Sequence, residues 1–444
     1  MIKTRTFHPI GQGAFYSEDH GDFSVVYDCG VKTTSGRLPK HAPGVVQNAF
    51  PENRDVILFI SHFDTDHVSC IDELRKRVNI THVIMPLLYE EDKALIIALS
   101  KLDQTGPHIL EDPHGFFGKE TKIITVRPFD SEKESSLPDI YRFSDFTESD
   151  SSIYSGIPLV HTDTDWVFVP YNYDHTDRQK EIRERLENLK IDVKKFISDQ
   201  NYALEQIKTK RKCIACAYNK KFETPAAQKQ HEGTYINENS VFLYSGPKAN
   251  LNLASQDQGK QNNKLFKLKK FLPLHFWLLR QKSSNDIKPE TVPRDKQCFE
   301  ADAKATTIDY AVSFLFYSES GCIYTGDGNL KQVDLDKNYQ KYLSFVKTVQ
   351  IPHHGSKYNF KNDFFFNKNY FCPISVGSNQ RKFPDDSVVT ELASNGCLYV
   401  VVSENKEFKQ IFDTKLAEAF WKDEKRLDQV YVLVERKCIS NLFS

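Results

Sequence analysis

The chain has 444 residues, 39% of them hydrophobic, with 59 Lys and Arg against 60 Asp and Glu for a formal net charge of −1. This length exceeds one ordinary domain, and the modest apolar share suits a conventional core carrying long polar insertions. The balanced charge excludes a global basic field, so any contact with a polyanion must come from a local patch.

Nine cysteines, scattered from Cys29 to Cys438, read as reduced thiols of a cytoplasmic protein and not as a disulfide framework. The N-terminal residues lack the apolar core of a secretory signal, and the longest apolar run, Phe271 to Leu279, is too short to cross a bilayer. The sequence therefore predicts a soluble chain with no membrane contact.

The first elements are strands and helices in alternation. Phe23 to Tyr27 reads as a strand ending at Asp28-Cys29-Gly30, and Asp55 to Ile60 as a strand buried on both faces. Ile71 to Val78 reads as a helix, His82 to Pro86 as a strand and Tyr89 to Leu102 as a helix. Residues 103–150 read as polar and irregular, and Trp166 to Tyr171 as a further strand. Between Arg178 and Lys210, Ile182, Leu186, Leu189, Phe196 and Leu204 recur at helical spacing in a strongly charged segment, which predicts a helical insertion with one packing stripe. Ser240 to Tyr244 returns to strand, and 246–305 reads as a polar insertion or lid. Tyr310 to Tyr324 is expected to be a hairpin, and Val346 to Ile351, Cys397 to Val402 and Val430 to Val434 strands, with a helical turn near Val388 to Leu392.

The chemistry gathers where strands end. His62, Asp64, Asp66 and His67 follow directly on a buried strand, and two imidazoles with two carboxylates there are costly unless something pairs with them. Imidazole and carboxylate together suit Zn²⁺, Mn²⁺ or Fe²⁺, and a tight loop of this kind can serve two metals. Thr325-Gly326-Asp327 repeats the pattern of strand, turn and carboxylate, and Pro352-His353-His354-Gly355-Ser356 ends another strand in histidines. Only one of two neighbours on an extended chain can face a given site, and His354, beside the glycine, is the choice.

These segments resemble the metallo-β-lactamase superfamily, most of all the soluble hydrolase domain of ComEC-type competence proteins. The resemblance rests on Gly11-Gln12-Gly13 with Val25 to Gly30, on Ser61 to His67 as an H-x-D-x-D-H signature, and on Asn237 to Val241. Thr325-Gly326-Asp327, Pro352 to Lys357 and Ser375 to Leu392 complete it, so that residues 5–90, 237–245 and 310–405 are covered. It implies an α/β fold, the αββα four-layer sandwich, with large polar and helical insertions. One such domain would span 1–440, with its core in about 1–102, 157–172, 237–245 and 306–440. The helical insertion would occupy 173–236, and the polar insertion 246–305.

The resemblance also implies two metals per chain, Zn²⁺ or Mn²⁺. His62 and Asp64 would serve one, Asp66 and His67 the other, and Asp327 would bridge them. His354 would be a further ligand or would contact a scissile phosphate, with Ser356 and Lys357 stabilising developing charge; Asp66, His354 and Lys357 are thus the residues expected to take part in the reaction. Asp28 would orient a ligand. The sequence departs from the family in two places. A further histidine before the Gly-Asp motif has only His82, His161 and His175 as candidates, and Phe383-Pro384 stands where a His-Pro is usual.

The implied activity is a phosphodiesterase or nuclease acting on nucleic acid or a nucleotide, with a protein partner possible. The alternatives are a degenerate fold that binds or regulates, and an enzyme for a thioester or lactam. Two further patterns stand apart from this reading. Cys213 and Cys216 form a CxxC that His231 and Cys298 can complete as a zinc knuckle. Lys264, Lys267, Lys269 and Lys270 among apolar residues form either a polyanion patch or a solvated amphipathic segment.

Overall fold

The computed structural model describes residues 3–103, 109–128, 137–161, 165–173, 176–218, 240–248, 320–378 and 382–412. Through them run the strands β1 (Lys3–Phe7), β2 (Gly13–Asp19), β3 (Ser24–Val31), β4 (Asp55–Phe59), β5 (Asn79–Pro86), β6 (Lys122–Arg127), β7 (Tyr141–Arg142) and β8 (Asp150–Tyr154). They are followed by β9 (Leu159–Val160), β10 (Trp166–Tyr171), β11 (Phe242–Pro247), β12 (Gly321–Tyr324), β13 (Val346–Val349), β14 (Phe371–Ser375), β15 (Leu398–Val402) and β16 (Phe408–Phe412). All belong to one compact unit, Met1–Pro247 with Glu319–Asp413.

The strands form two eight-stranded sheets, ordered β16-β1-β2-β3-β4-β5-β6-β8 and β15-β14-β13-β12-β11-β10-β9-β7. The first is parallel from β3 to β8, and the second is parallel from β12 to β15. Parallel strands need crossover connections, and helices are the usual ones, so such strands lose their polar face. That is why β4 is apolar throughout after Asp55.

Phe7, Tyr16, Tyr27 and Phe59 of the first sheet share a buried cluster with Phe168, Leu243 and Tyr324 of the second. The rings of Tyr27 and Tyr324 stack there with centroids 4.9 Å apart. On its other face the first sheet packs Val26, Leu58 and Val83 against Ala42, Val46, Ile71 and Leu74 of the helices Ala42–Ala49 and Ile71–Arg75. Helix Asp386–Ser394, capped by the Asp385 carboxylate accepting from Ser387 N–H, packs on β15 of the second. The layers are therefore helix, sheet, sheet, helix.

The charged segment after β10 is helical, as its periodicity predicts, and forms the helices Thr176–Asn188, Val193–Ser198 and Gln200–Tyr218. Ile182, Leu186 and Phe196 close a cluster of their own with Leu95 and Ala98 of helix Glu90–Asp103. The reading of 103–150 as irregular is corrected: it contains β6, β7 and helix Pro113–Phe117, and β8 begins at its end. The apolar run of β6 is only Ile123-Ile124-Thr125-Val126 between lysine and arginine, too short to stand out from its polar flanks. The strand at Val25 also does not end at Asp28 but continues to Val31. Asn237, His175, His231, Cys298, the lysines 264–270, most of 246–305, the first half of the expected hairpin and Val430 to Val434 lie outside the described residues. No helix of the described residues is long and apolar enough to cross a membrane.

Candidate metal centre

The carboxyl ends of parallel strands from both sheets meet at one place. The first sheet contributes Asp28 from β3 and the segment Ser61 to His67 after β4. The second contributes Thr325-Gly326-Asp327 after β12 and Pro352 to Ser356 after β13. Open α/β sheets collect ligands at such ends.

Two overlapping groups of donors converge there: His62, His67 and Asp327, and Asp66, His67 and His354, with the donor atoms of each group within 4.8 Å of one another. His67 Nε2 lies 3.1 Å and His62 Nε2 3.9 Å from the Asp327 carboxylate. His354 Nε2 lies 3.2 Å from Asp66 Oδ2. His62, His67, Asp327 and His354 are buried, whereas Asp66 keeps a quarter of its side chain exposed.

The surrounding hydrogen bonds fix which ring nitrogen faces the centre. His67 Nδ1 donates to Asp28 Oδ2 at 2.8 Å, so its lone pair is on Nε2. The same Asp28 carboxylate accepts from the Ser61 backbone N–H at 2.7 Å and from the Ser61 hydroxyl at 2.6 Å. With its proton committed to Asp28, Ser61 Oγ accepts from His62 Nδ1 at 2.9 Å, and His62 also presents Nε2. His354 Nδ1 donates to the Ser375 carbonyl at 2.7 Å, leaving Nε2 toward Asp66. Asp28 reaches Ser61 and His67 from φ +56°, a left-handed conformation inside β3 that Asp tolerates better than most residues.

Burial pushes the His62 imidazole down to about 3, and protonated His67 beside it adds to the effect. Burial acts the same way on His67, but the Asp327 and Asp28 carboxylates outweigh it and raise that ring well above its ordinary value. Burial also opposes ionisation of Asp327, yet the charges of His353 and His67 hold its carboxyl well below the usual range. The pocket thus demands positive charge, which a proton on His67 or a divalent cation can supply. The buried Nε2 of His62 meets no hydrogen-bond partner among the described residues, and that of His67 faces only the Asp327 carboxylate. Convergent imidazole lone pairs beside carboxylates suit a divalent cation of the Zn²⁺ or Mn²⁺ kind.

The remaining expected residues fall as follows. Asp64 stands in extended conformation immediately before the short helix Thr65–Val68 and belongs to neither group. Lys357 is half exposed, with its ammonium 3.3 Å from Asp385 Oδ2. His82 faces the Phe143 carbonyl at 3.2 Å and His161 stacks on Phe23 with centroids 3.8 Å apart, so neither stands in the two groups. Phe383 packs its ring 6.1 Å from those of both His353 and His354.

One residue that reasoning from an extended chain passes over is His353, whose Nε2 lies 3.7 Å from Asp327 Oδ2. His353 and His354 both adopt left-handed conformations, at φ +48° and +56°, so the chain coils and both rings turn inward. The signal was the glycine that follows. Gly355 continues the coil at φ +82°, where a Cβ would meet that of Pro384 at 2.7 Å. Ser61 and Ser240 were likewise silent in the sequence; Ser240 Oγ lies 3.2 Å from His62 Nδ1 and accepts from Asp327 N–H at 3.2 Å.

Residues 14–194 match the family model of the metallo-beta-lactamase superfamily. That stretch holds His62, Asp66 and His67, and the second sheet supplies the rest of the layered architecture. The chain has the metallo-β-lactamase fold. Members of this superfamily are in general divalent-metal hydrolases, and the His and Asp groups above are candidates of that kind. Among solved structures, the chain is similar to the metallo-beta-lactamase fold protein YhfI from Bacillus subtilis, at 15% identity over 38% of this chain and 54% of that one, with a TM-score of 0.17. It is also similar to human tRNase Z, short form, at 13% identity over 38% of this chain and 60% of that one, with a TM-score of 0.20. The chain thus spans little more than half the length of these structures. No curated protein matches it.

Proposed function

We propose that the chain is a metal-dependent phosphodiesterase acting on nucleic acid or a nucleotide. The observation that carries this reading is the convergence of His62, His67 and Asp327 with Asp66 and His354 at strand ends of both sheets. His67 stands in both groups and its Nε2 offers one lone pair, so it would serve one cation, held with His62 and Asp327 or with Asp66 and His354. Zn²⁺ or Mn²⁺ held there would activate water and draw negative charge from the substrate oxygen.

The chain's own residues do the positioning. Asp28 and Ser61 hold His67 and His62 in the tautomers that face the centre, and the Ser375 carbonyl does the same for His354. The carboxylates of Asp66 and Asp327 make the site harder than an all-histidine one, which favours phosphate oxygen and admits Mn²⁺. Lys357, half exposed and ion-paired with Asp385, would supply charge for an incoming phosphate.

A second reading rests on Phe383, which packs beside His353 and His354 where a titratable group would otherwise stand. In that reading the site binds metal and nucleotide without turnover. One experiment separates the two. Metal content is measured on the purified chain, and single- and double-stranded DNA and RNA are assayed with Mn²⁺ and Zn²⁺, alongside Asp66→Ala and Asp327→Ala. Cleavage lost in both variants supports the enzyme. Bound metal without cleavage favours the binding protein, and cleavage that survives both changes refutes the assignment.

A further inference from the structure

Two side chains outside the donor groups tie the two loops of the second sheet together. Gln350 is buried at the end of β13. Its Oε1 accepts from Thr325 N–H at 2.7 Å and Gly326 N–H at 2.9 Å, while Nε2 donates to the Gly326 carbonyl at 3.3 Å and the Ile351 carbonyl at 2.8 Å. Backbone N–H groups only donate and carbonyls only accept, so the amide can stand only one way round. The Gly326 carbonyl also accepts from His353 N–H at 3.2 Å. Asn359 works from the other side. Its Nδ2 donates to the Asp327 carbonyl at 3.0 Å, which turns Oδ1 toward His353 Nδ1 at 3.1 Å. The ring is thereby held with hydrogen on Nδ1 and the lone pair of Nε2 facing Asp327.

We infer that Gln350 and Asn359 are positioning residues, a brace that sets Asp327 and His353 at the spacing a cation needs. The inference rests on the metal reading above. Gln350 spans the chain just before Asp327 and just before His353, and Asn359 spans Asp327 and His353 themselves. Each loop alone is a short turn, and among the described residues these two amides bond to both. A brace of this kind acts on the metal through ligand geometry, where loss of an outer partner typically lowers affinity about 10–100-fold.

The test compares wild type with Asn359→Ala, Asn359→Asp and Gln350→Met by competition against a chelator for Mn²⁺ and Zn²⁺. The visible spectrum of the Co²⁺ form and the thermal midpoint without metal are measured beside it. Asn359→Ala is expected to weaken metal binding about 10–100-fold and to shift the Co²⁺ bands. Its metal-free midpoint should stay close to wild type, because Asn359 is only half-buried. Asn359→Asp, which keeps the acceptor for His353 but sets a carboxylate against the Asp327 carbonyl, should fall between. Gln350→Met leaves buried N–H groups unpaired and should lose both stability and affinity; the Asn359 variants decide the matter if it does not fold. Metal affinity and Co²⁺ spectrum unchanged in Asn359→Ala would overturn the inference alone. No metal bound by the wild-type chain would overturn the metal reading and this inference together.

Discussion

Replacing Arg5 by Met removes a cation from a place that water does not reach. Arg5 is fully buried between the sheets. Its Nε donates to Glu18 Oε1 at 2.7 Å, Nη1 to Gln410 at 3.2 Å, and Nη2 to the carbonyls of Ser245 and Ser320 at 3.3 and 3.2 Å. Glu18 also accepts from the hydroxyls of Ser245 at 2.6 Å and Tyr324 at 2.8 Å. Without Arg5 the Glu18 carboxylate keeps those hydroxyls and the His20 ring 3.3 Å away but loses its permanent counter-charge, and stranding one member of a buried pair costs about 3–5 kcal/mol. The compact unit has about 340 residues, and at about 2.1 cal/mol/K per residue its unfolding entropy is about 0.7 kcal/mol/K. The melting midpoint of Arg5→Met should therefore fall by about 4–7 °C in calorimetry at neutral pH. The double variant Arg5→Met/Glu18→Met should recover most of that loss, because no charge is left stranded. A single variant within 1 °C or so of wild type, or a double variant lower than the single, would refute the reasoning.

Three other outcomes follow from the same structure. Burial alone would push the Glu18 carboxyl up, but Arg5 and the hydrogen bonds hold it well below the usual range. Its contribution is therefore present above the ordinary carboxylate value of about 4.3 and lost as pH falls below it, so the wild-type midpoint should drop on acidification through that range while Arg5→Met loses less. Asp28→Asn keeps a residue that tolerates φ +56° but loses an acceptor for Ser61 or His67; metal affinity by chelator competition should fall about tenfold or more, and an unchanged value would count against Asp28 as the orienting group. Leu186→Ala opens a cavity under the helical insertion and should cost about 2–5 kcal/mol there, seen as faster proteolysis within 176–218 with metal binding retained.

Much of the centre was legible because it lies in continuous segments. Two imidazoles and two carboxylates after an apolar strand stand out in any reading, and β4, β5 and helix Glu90–Asp103 follow the periodicities seen in the sequence. What stayed hidden depends on pairing across the chain or on backbone geometry. Ser61 meets Asp28 across 33 residues and His354 meets Asp66 across 288, and no spacing rule reports such distances. His353 was set aside on the premise of an extended chain, whereas two left-handed residues coil it inward. Strand β6 was lost for the opposite reason: its neighbours in the sheet, β5 and β8, make it a strand more than its own three apolar residues do.

The centre draws its donors from both sheets, with His62, Asp66 and His67 on one side and Asp327 and His354 on the other. A cation seated among them would act as a rivet through the seam that the stacked Tyr27 and Tyr324 rings close from below. Ligand binding and cohesion of the two sheets would then be linked quantities, each rising with the other. Chelation should loosen the seam before either sheet melts, and damage to the tyrosine stack should be felt first as a weaker grip on metal.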